Sequence, residues 1–255
     1  MTIRFGMFSD LHCSLPGEDP RGASERSEAD LREGLGRFID KHADFIVNLG
    51  DMTQPSPTVR EQYEHVRSLH RLCLGTGIPV HTVFGNHEFQ QLSAAEVLEI
   101  WQTDRFHHSF DIGPCRFLFL DTAVNPDGTH YSRDNFDWRY CIMDREQVSW
   151  LETRLAERKR TFIFTHANLY FDPAEDHAEY YMIRDHEKIC GILEESECVE
   201  AVFQGHSHDF RDAVHRGIRF LSVPSPIITD RYSPDAFPVV EITENGFEYA
   251  LSGEG

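Results

Sequence analysis

Basic residues are scarce in this chain: 24 Lys and Arg stand against 43 Asp and Glu in 255 residues, a formal net charge of −19. Such a surface repels nucleic acid and anionic membranes at long range, which argues against duplex nucleic acid or a membrane as partner. Long apolar runs are missing as well. Phe117–Leu120 is typical of the longest, and about 20 apolar residues would be needed to cross a bilayer. There is no CxxC pair. Cys13, Cys73, Cys115, Cys141, Cys190 and Cys198 are scattered, which predicts reduced thiols rather than a disulfide framework. No secretory signal is evident, because Ile3–Phe8 reads as a first core strand. A cytoplasmic location is expected. No internal repeat is present.

What is there is an ordinary soluble balance, 40% hydrophobic and 26% charged, enough for one large α/β domain over residues 1–255. Strands are expected at 3–8, 44–49, 79–84, 161–165 and 199–203. Helices are expected at 24–41, 58–74, 93–100, 145–158 and 186–195, from apolar positions at helical spacing such as Val59, Tyr63, Val66, Leu69 and Leu72. Asp144 and Asp185 read as caps of the last two helices. Residues 107–112 and 115–120 read as a hairpin turning at Gly113-Pro114, and residues 13–23 as a Pro/Gly loop. Further strands are expected near 210–214, 218–223, 237–242 and 246–251. The early half alternates strand and helix, which predicts parallel pairing; the late half reads as mostly antiparallel. The expected fold is α/β, a four-layer sandwich of two mixed sheets packed face to face with helices outside.

Five segments that each follow an expected strand carry the chemistry: Asp10-x-His12, Gly50-Asp51, Gly85-Asn86-His87-Glu88, His166 and Gly205-His206-x-His208. Ligands bind outside the carboxyl ends of strands in open α/β sheets, so these loops should converge on one edge. Carboxylates and imidazoles without thiolate suit Mn, Fe or Zn. The x-separated pairs are expected to place two side chains on the same side of an extended segment. The glycines before Asp51, Asn86 and His206 are expected to allow sharp turns.

This ordered set resembles the calcineurin-like metallophosphoesterase superfamily, over roughly residues 3–223. The resemblance implies two metal ions. Asp10, His12, Asp51 and His208 would hold one; Asp51, Asn86, His166 and His206 the other, with Asp51 shared. His87 would face the scissile phosphate without binding metal. A hydroxide held between the ions would attack phosphorus, and the ions would neutralise charge on the phosphoryl oxygens. His87 could protonate the leaving oxygen or stabilise its charge. Glu88 is expected behind the histidine array.

Gly50-Asp51 continues as Met52-Thr53-Gln54-Pro55, unlike the Ser/Thr protein phosphatases, where Asp-Arg-Gly follows shortly. The sequence looks more like the class III cyclic-nucleotide phosphodiesterases and the manganese-dependent ADP-ribose/CDP-alcohol diphosphatases. The stretches that carry this are Gly85–Phe89, Phe119–Asp121, Gln147-x-x-Trp150-Leu151 and Glu197-Cys198-Val199 through His208-Asp209. The expected activity is cleavage of a phosphodiester or nucleotide diphosphate bond in a small phosphorylated substrate. A broad phosphomonoesterase and, as a minor reading, a non-catalytic scaffold on the same fold stand as alternatives. Many members have proline soon after the ligand matching His166, whereas Ala167-Asn168 follow here. That loop is therefore expected to meet the substrate differently. Loops 122–143 and 167–181 are the candidates for substrate recognition, with Asn86, His87, Trp138, Arg139 and Tyr170 as contacts.

The remaining histidines read as surface or packing groups, His107 and His108 as a solvated edge, and Cys13 as a bystander thiol. Asp121 is open between a group behind the site and a turn-initiating aspartate.

Overall fold

The computed structural model describes residues 1–19, 23–172, 178–228 and 231–250. Along the chain run β1 (Ile3–Phe8), α1 (Ala23–Asp40), β2 (Phe45–Asn48), α2 (Val59–Leu74), β3 (Val80–Thr82), α3 (Glu88–Gln91) and α4 (Ala94–Trp101). There follow the hairpin β4 (His108–Ile112) and β5 (Cys115–Phe119), then α5 (Arg145–Leu155), β6 (Arg160–Thr165), α6 (Ala178–Tyr181), α7 (His186–Ser196) and β7 (Val199–Gln204). The chain closes with β8 (Arg211–His215), β9 (Ile218–Ser222), β10 (Val239–Thr243) and β11 (Gly246–Ala250).

Two mixed sheets form, ordered β11-β10-β1-β2-β3 and β4-β5-β6-β7-β9-β8. In the first, β1, β2 and β3 are parallel and β10 and β11 antiparallel. In the second, β5, β6, β7 and β9 are all parallel, and only the edge strands β4 and β8 run against them. The expectation of a mostly antiparallel late half is therefore corrected. Helices α5 and α7 return the chain across the sheet between β5, β6 and β7, as parallel pairing requires.

The two-residue period of the strands sorts their side chains into separate layers. Phe5, Met7, Phe45, Val47, Phe117, Phe119, Phe162, Phe164 and Phe203 form the layer between the sheets. Their rings interlock, with Phe5 stacked on Phe45 at 4.9 Å and edge-on to Phe164 at 5.5 Å. Each fully buried Phe contributes about 1.5–3 kcal/mol. On the outer face of the first sheet, α1 and α2 pack Leu31, Leu35, Phe38, Leu69 and Cys73 against Phe8 and Ile46. There Gly6 is obligatory, because a Cβ would lie 2.3 Å from the Phe38 ring. On the outer face of the second sheet, Val148, Leu151, Ile189 and Leu193 cover Leu118, Ile163 and Val202.

Asp144 caps α5, accepting from the amides of Glu146 and Gln147. Asp185 does not cap α7; its Oδ1 accepts from Met143 N at 3.2 Å, which ties the α5 approach to the α7 approach. All six cysteines are free thiols. Among the described residues, no helix is long and apolar enough to cross a membrane.

Candidate metal centre

Asp10 and His12 follow β1, Asp51 follows β2, Asn86 and His87 follow β3, His166 follows β6, and His206 and His208 follow β7. Each of these strands ends at the same edge, so the five loops meet across the seam between the two sheets. Three groups of potential ligand atoms form there, each within 4.8 Å: Asp10, His12 and His208; Asp51, His166 and His206; and His12, Asp51 and His87.

The loops are built differently from the expectation of extended pairs. Asp10, His12, Asp51, His206 and His208 all have positive φ, from 45° to 67°. Left-handed conformations in non-glycine residues cost of order 1–3 kcal/mol each and cluster where function demands them. Asp10 and His12 fall in one ligand group, whereas His206 and His208 fall in two. Of the three glycines, only Gly50 uses positive φ, at 98°. Gly85 and Gly205 are present for space instead. A Cβ on Gly85 would lie 2.1 Å from Asp51 Oδ1, and one on Gly205 would lie 2.2 Å from Ser9 Oγ.

Asp10 and His166 each spend one atom on orientation and leave another facing the centre. Asp10 Oδ2 accepts from His206 N at 2.9 Å and from the Ser9 hydroxyl. Its Oδ1 stands 3.4 Å from His208 Nε2 and 3.7 Å from His12 Nε2. His166 Nδ1 donates to Leu49 O at 2.8 Å, which aims Nε2 at Asp51 Oδ2, 3.5 Å away. His12 Nε2 lies 3.8 Å from the same Asp51 oxygen and 3.0 Å from His208 Nε2. Glu88 does not touch the histidines. Its buried carboxylate collects the amides of Gly85, Asp51 and Met52 at 2.7–3.0 Å, and so fixes the loops on which Asp51 and Asn86 stand.

These residues fit the implied cations. Asp10 Oδ1, His166 Nε2 and His206 Nε2 are buried with no hydrogen-bond partner among the described residues. Orphaned buried polar atoms cost about 1–3 kcal/mol each, and these three, one in the Asp10 group and two in the Asp51 group, mark sites for positive charge. The nitrogen and oxygen donor set suits Mn, Fe or Zn.

The protonation pattern points the same way. Burial pushes the Asp10 and Asp51 carboxyls up, but the surrounding imidazoles outweigh it and hold both well below the ordinary range. Burial opposes the charged form of His166 too, yet Asp51 raises it to about 10. Beside it, burial and His166 push His206 down to about 3. Burial takes His87 down to about 4. The two anionic oxygens thus hold positive charge against a large desolvation cost, the task that cations perform in such a cluster.

Above the ligands lies a cleft of about 360 Å³, lined also by Gln54, Asn86, His87, Trp138, Tyr181 and Ser207. Asn86, His87 and Trp138, three of the expected contacts, thus line this cleft. Arg139 and Tyr170 do not. Arg139 is exposed and paired with Asp137 of its own loop through Nε at 3.1 Å. Tyr170 stacks on His215 at 4.2 Å and lines a separate small cavity with Arg211 and Phe220. Sequence reasoning missed Tyr181, Gln54 and Ser207. Within loop 167–181, residues 173–177 lie outside the described residues. Asp121 is a loop anchor, accepting from Ala123 N at 2.9 Å and facing His130 Nε2 at 3.0 Å. Cys13 is buried among apolar side chains.

The calcineurin-like phosphoesterase profile matches residues 3–210. The chain belongs to that family, whose members use a dinuclear metal centre. A manganese-dependent ADP-ribose/CDP-alcohol diphosphatase from Oryza sativa subsp. japonica is 25% identical over 167 residues, 51% of this chain and 52% of the relative. The metallophosphoesterase thus spans about half the length of the curated relative it matches. A dimetal phosphatase from Danio rerio superposes with a TM-score of 0.74 at 18% identity, over 95% of this chain and 93% of that one. A purple acid phosphatase from Lupinus luteus gives 0.64 at 16% identity, over 100% of this chain and 52% of the other. At these identities the likeness is one of fold.

Proposed function

We propose that this metallophosphoesterase hydrolyses a phosphodiester or nucleotide diphosphate bond in a small substrate, using two metal ions held by the seven residues Asp10, His12, Asp51, Asn86, His166, His206 and His208. The observation that carries this reading is the shared carboxylate: Asp51 Oδ2 lies between His12 of one group and His166 of the other. When bound, a pair of such ions supplies an activated water and neutralises phosphoryl charge. Manganese is the proposed metal, in keeping with the name of the rice relative.

The chain's own residues would do the rest. Asn86 and His87 line the cleft beside the ligands and would orient the phosphoryl oxygens. His87 is neutral near pH 7, because burial lowers its pKa to about 4. A neutral imidazole suits donation of one N–H to the leaving oxygen as charge builds there. His87 and Asp51 are thus the proposed catalytic pair, with Trp138 as a substrate contact.

A diester or diphosphate is favoured over a monoester by the shape of the surroundings. The cleft adjoins a groove of about 590 Å³ lined by Ser14, Glu18, Asp19, Ser24 and Ser56, and Gln54 borders both. There is room for a group on either side of the phosphorus.

Hydrolysis of bis-p-nitrophenyl phosphate, p-nitrophenyl phosphate, cyclic AMP, ADP-ribose and a CDP-alcohol with added Mn²⁺ tests the reading. Turnover of at least one diester or diphosphate, faster than of the monoester, is the expected result. A faster monoester would make this a phosphomonoesterase. No turnover of any substrate, with two metals bound, would leave the scaffold reading standing.

A further inference from the structure

Two aromatic rings, one from the loop before α5 and one from the end of α6, stand over one side of the candidate metal centre. Trp138 and Tyr181 each lie 5.6 Å from the His206 ring, at interplanar angles of 70° and 73°. Both line the cleft. Trp138 is 37% exposed, unlike a residue kept for core packing.

The pair is held from both sides. Tyr131 donates from its hydroxyl to the Asp137 carbonyl at 2.7 Å, fixing the chain next to Trp138. Asn168 N donates to Tyr181 O at 2.9 Å, and Ile183 N donates back to Asn168 O at 3.1 Å. Ala167 N is engaged as well, donating to Thr122 Oγ1 at 3.1 Å. The two loops are then joined to one another. Arg184 N donates to Cys141 O at 2.8 Å, and the Arg184 guanidinium sits 4.2 Å from the Tyr140 ring. Trp138 and Tyr181 therefore stand on backbone segments that are tied to one another, which limits the ordering cost of bringing the two rings to one ligand.

The far side of the cleft has another character. Past Gln54 the groove is lined by Ser14, Glu18, Asp19, Ser24 and Ser56, with hydroxyls and carboxylates, and by Pro55 and Pro57, with no aromatic ring among its described lining residues. A flat apolar group therefore finds aromatic partners only on the other side, where it can stack or pack edge-on against Trp138 and Tyr181.

We propose that Trp138 and Tyr181 form the specificity-determining wall of the cleft and take a planar ring of the substrate, a nucleobase or an aryl group, on the His206 side, with the hydrophilic half directed past Gln54. The inference rests on the phosphohydrolase reading and assigns its substrate a direction.

Two measurements test it. In the first, kcat and KM are compared with Mn²⁺ for a ring-bearing diester, bis-p-nitrophenyl phosphate, and a ringless one, glycerophosphoglycerol. Trp138→Ala and Tyr181→Ala should each lower the ratio of the two kcat/KM values about tenfold, the worth of one stacked ring, mainly through KM. Trp138→Phe should restore most of it. A ratio that does not move in either alanine variant overturns the proposal, even if both activities fall. In the second, AMP is titrated and tryptophan fluorescence followed, with no turnover required. AMP should quench emission in the wild type and not in Trp138→Phe, although Trp101 and Trp150 remain. Equal quenching in both overturns it. Absence of hydrolysis in the wild type would count against the phosphohydrolase reading alone, since the AMP titration still decides the ring contact.

Discussion

Asp51 Oδ2 faces His166 Nε2 at 3.5 Å, while Asp51 Oδ1 is occupied by the His87 amide at 2.7 Å. One carboxylate oxygen is thus committed to the backbone, and the other, which faces both His166 and His12, is the one that would serve two cations. Asp51→Asn would keep the size of the side chain and remove the charge that both cations need. The expected result is loss of at least one metal per chain by elemental analysis. Turnover should fall by more than the roughly 10–100-fold that loss of an outer hydrogen-bond partner costs a metal site. Two tightly bound metals in Asp51→Asn would show that Asp51 is not the bridge.

His87 presents a different case. Its backbone amide serves Asp51, but its side-chain Nδ1 is buried without a hydrogen-bond partner among the described residues. His87→Ala retains the amide, so both metals should stay. A proton-donating group near a leaving oxygen is worth roughly 10²–10⁴ in rate, and kcat should drop by that order. The geometry also places His87 in one ligand group with His12 and Asp51. Loss of a metal in His87→Ala would make it a ligand instead.

The site was legible in the sequence to the extent that its residues end strands. Asp10, His12, Asp51, Asn86, His87, His166, His206 and His208 all follow apolar runs whose period is local, and each run became a strand. What joins the loops was not legible. Tyr181 is placed at the cleft by the bridge of Asn168 to Met182, in which Asn168 N donates to Tyr181 O at 2.9 Å, and no periodicity marks such a bridge. Gln54 is set by its amide, which donates to Cys13 O at 2.8 Å, and the chain just after it by Gln62 and Gln91, whose side chains both accept from Ser56 N at 2.9 Å from separate helices. Tyr170 was misjudged for the same reason: its ring turned to His215, on the neighbouring edge strand. The pairing direction of β5 through β9 was hidden because the β8 hairpin makes two parallel neighbours, β7 and β9, look like an antiparallel run.

Glu88 gives a prediction about construction rather than chemistry. Its Oε2 accepts from Gly85 N and Asp51 N, and its Oε1 from Met52 N. In Glu88→Gln one oxygen becomes an NH₂ group that must face at least one amide donor. A buried donor left unsatisfied costs about 1–3 kcal/mol, so the melting temperature should fall by several degrees. Because the amides belong to the Asp51 and Gly85 loops, metal affinity measured by calorimetry should fall as well. Unchanged stability and affinity would mean that water serves those amides equally well.

The edge of the sandwich where β3 faces β4 carries a pH dependence. His81 on β3 and His108 on β4 meet across the two sheets, with Nδ1 of one 3.1 Å from Nε2 of the other. Phe110 stacks on His81 at 4.2 Å and Phe119 on His108 at 4.4 Å. Burial lowers both pKa values to about 4; for His108 the field of His81 adds to it, followed by those of His107 and Arg105. A neutral pair can share one proton, whereas two imidazoliums would point donors at each other. The unfolded chain takes up these protons near pH 6.5 and the folded one only near 4. This contribution to stability is therefore complete above about pH 6.5 and is lost as the pH falls toward 4. His108→Phe keeps the stack and removes a titrating group. Melting temperatures followed from pH 7 to pH 4 should decline less steeply in this variant than in the wild type. Parallel declines would mean that the pair does not titrate with folding.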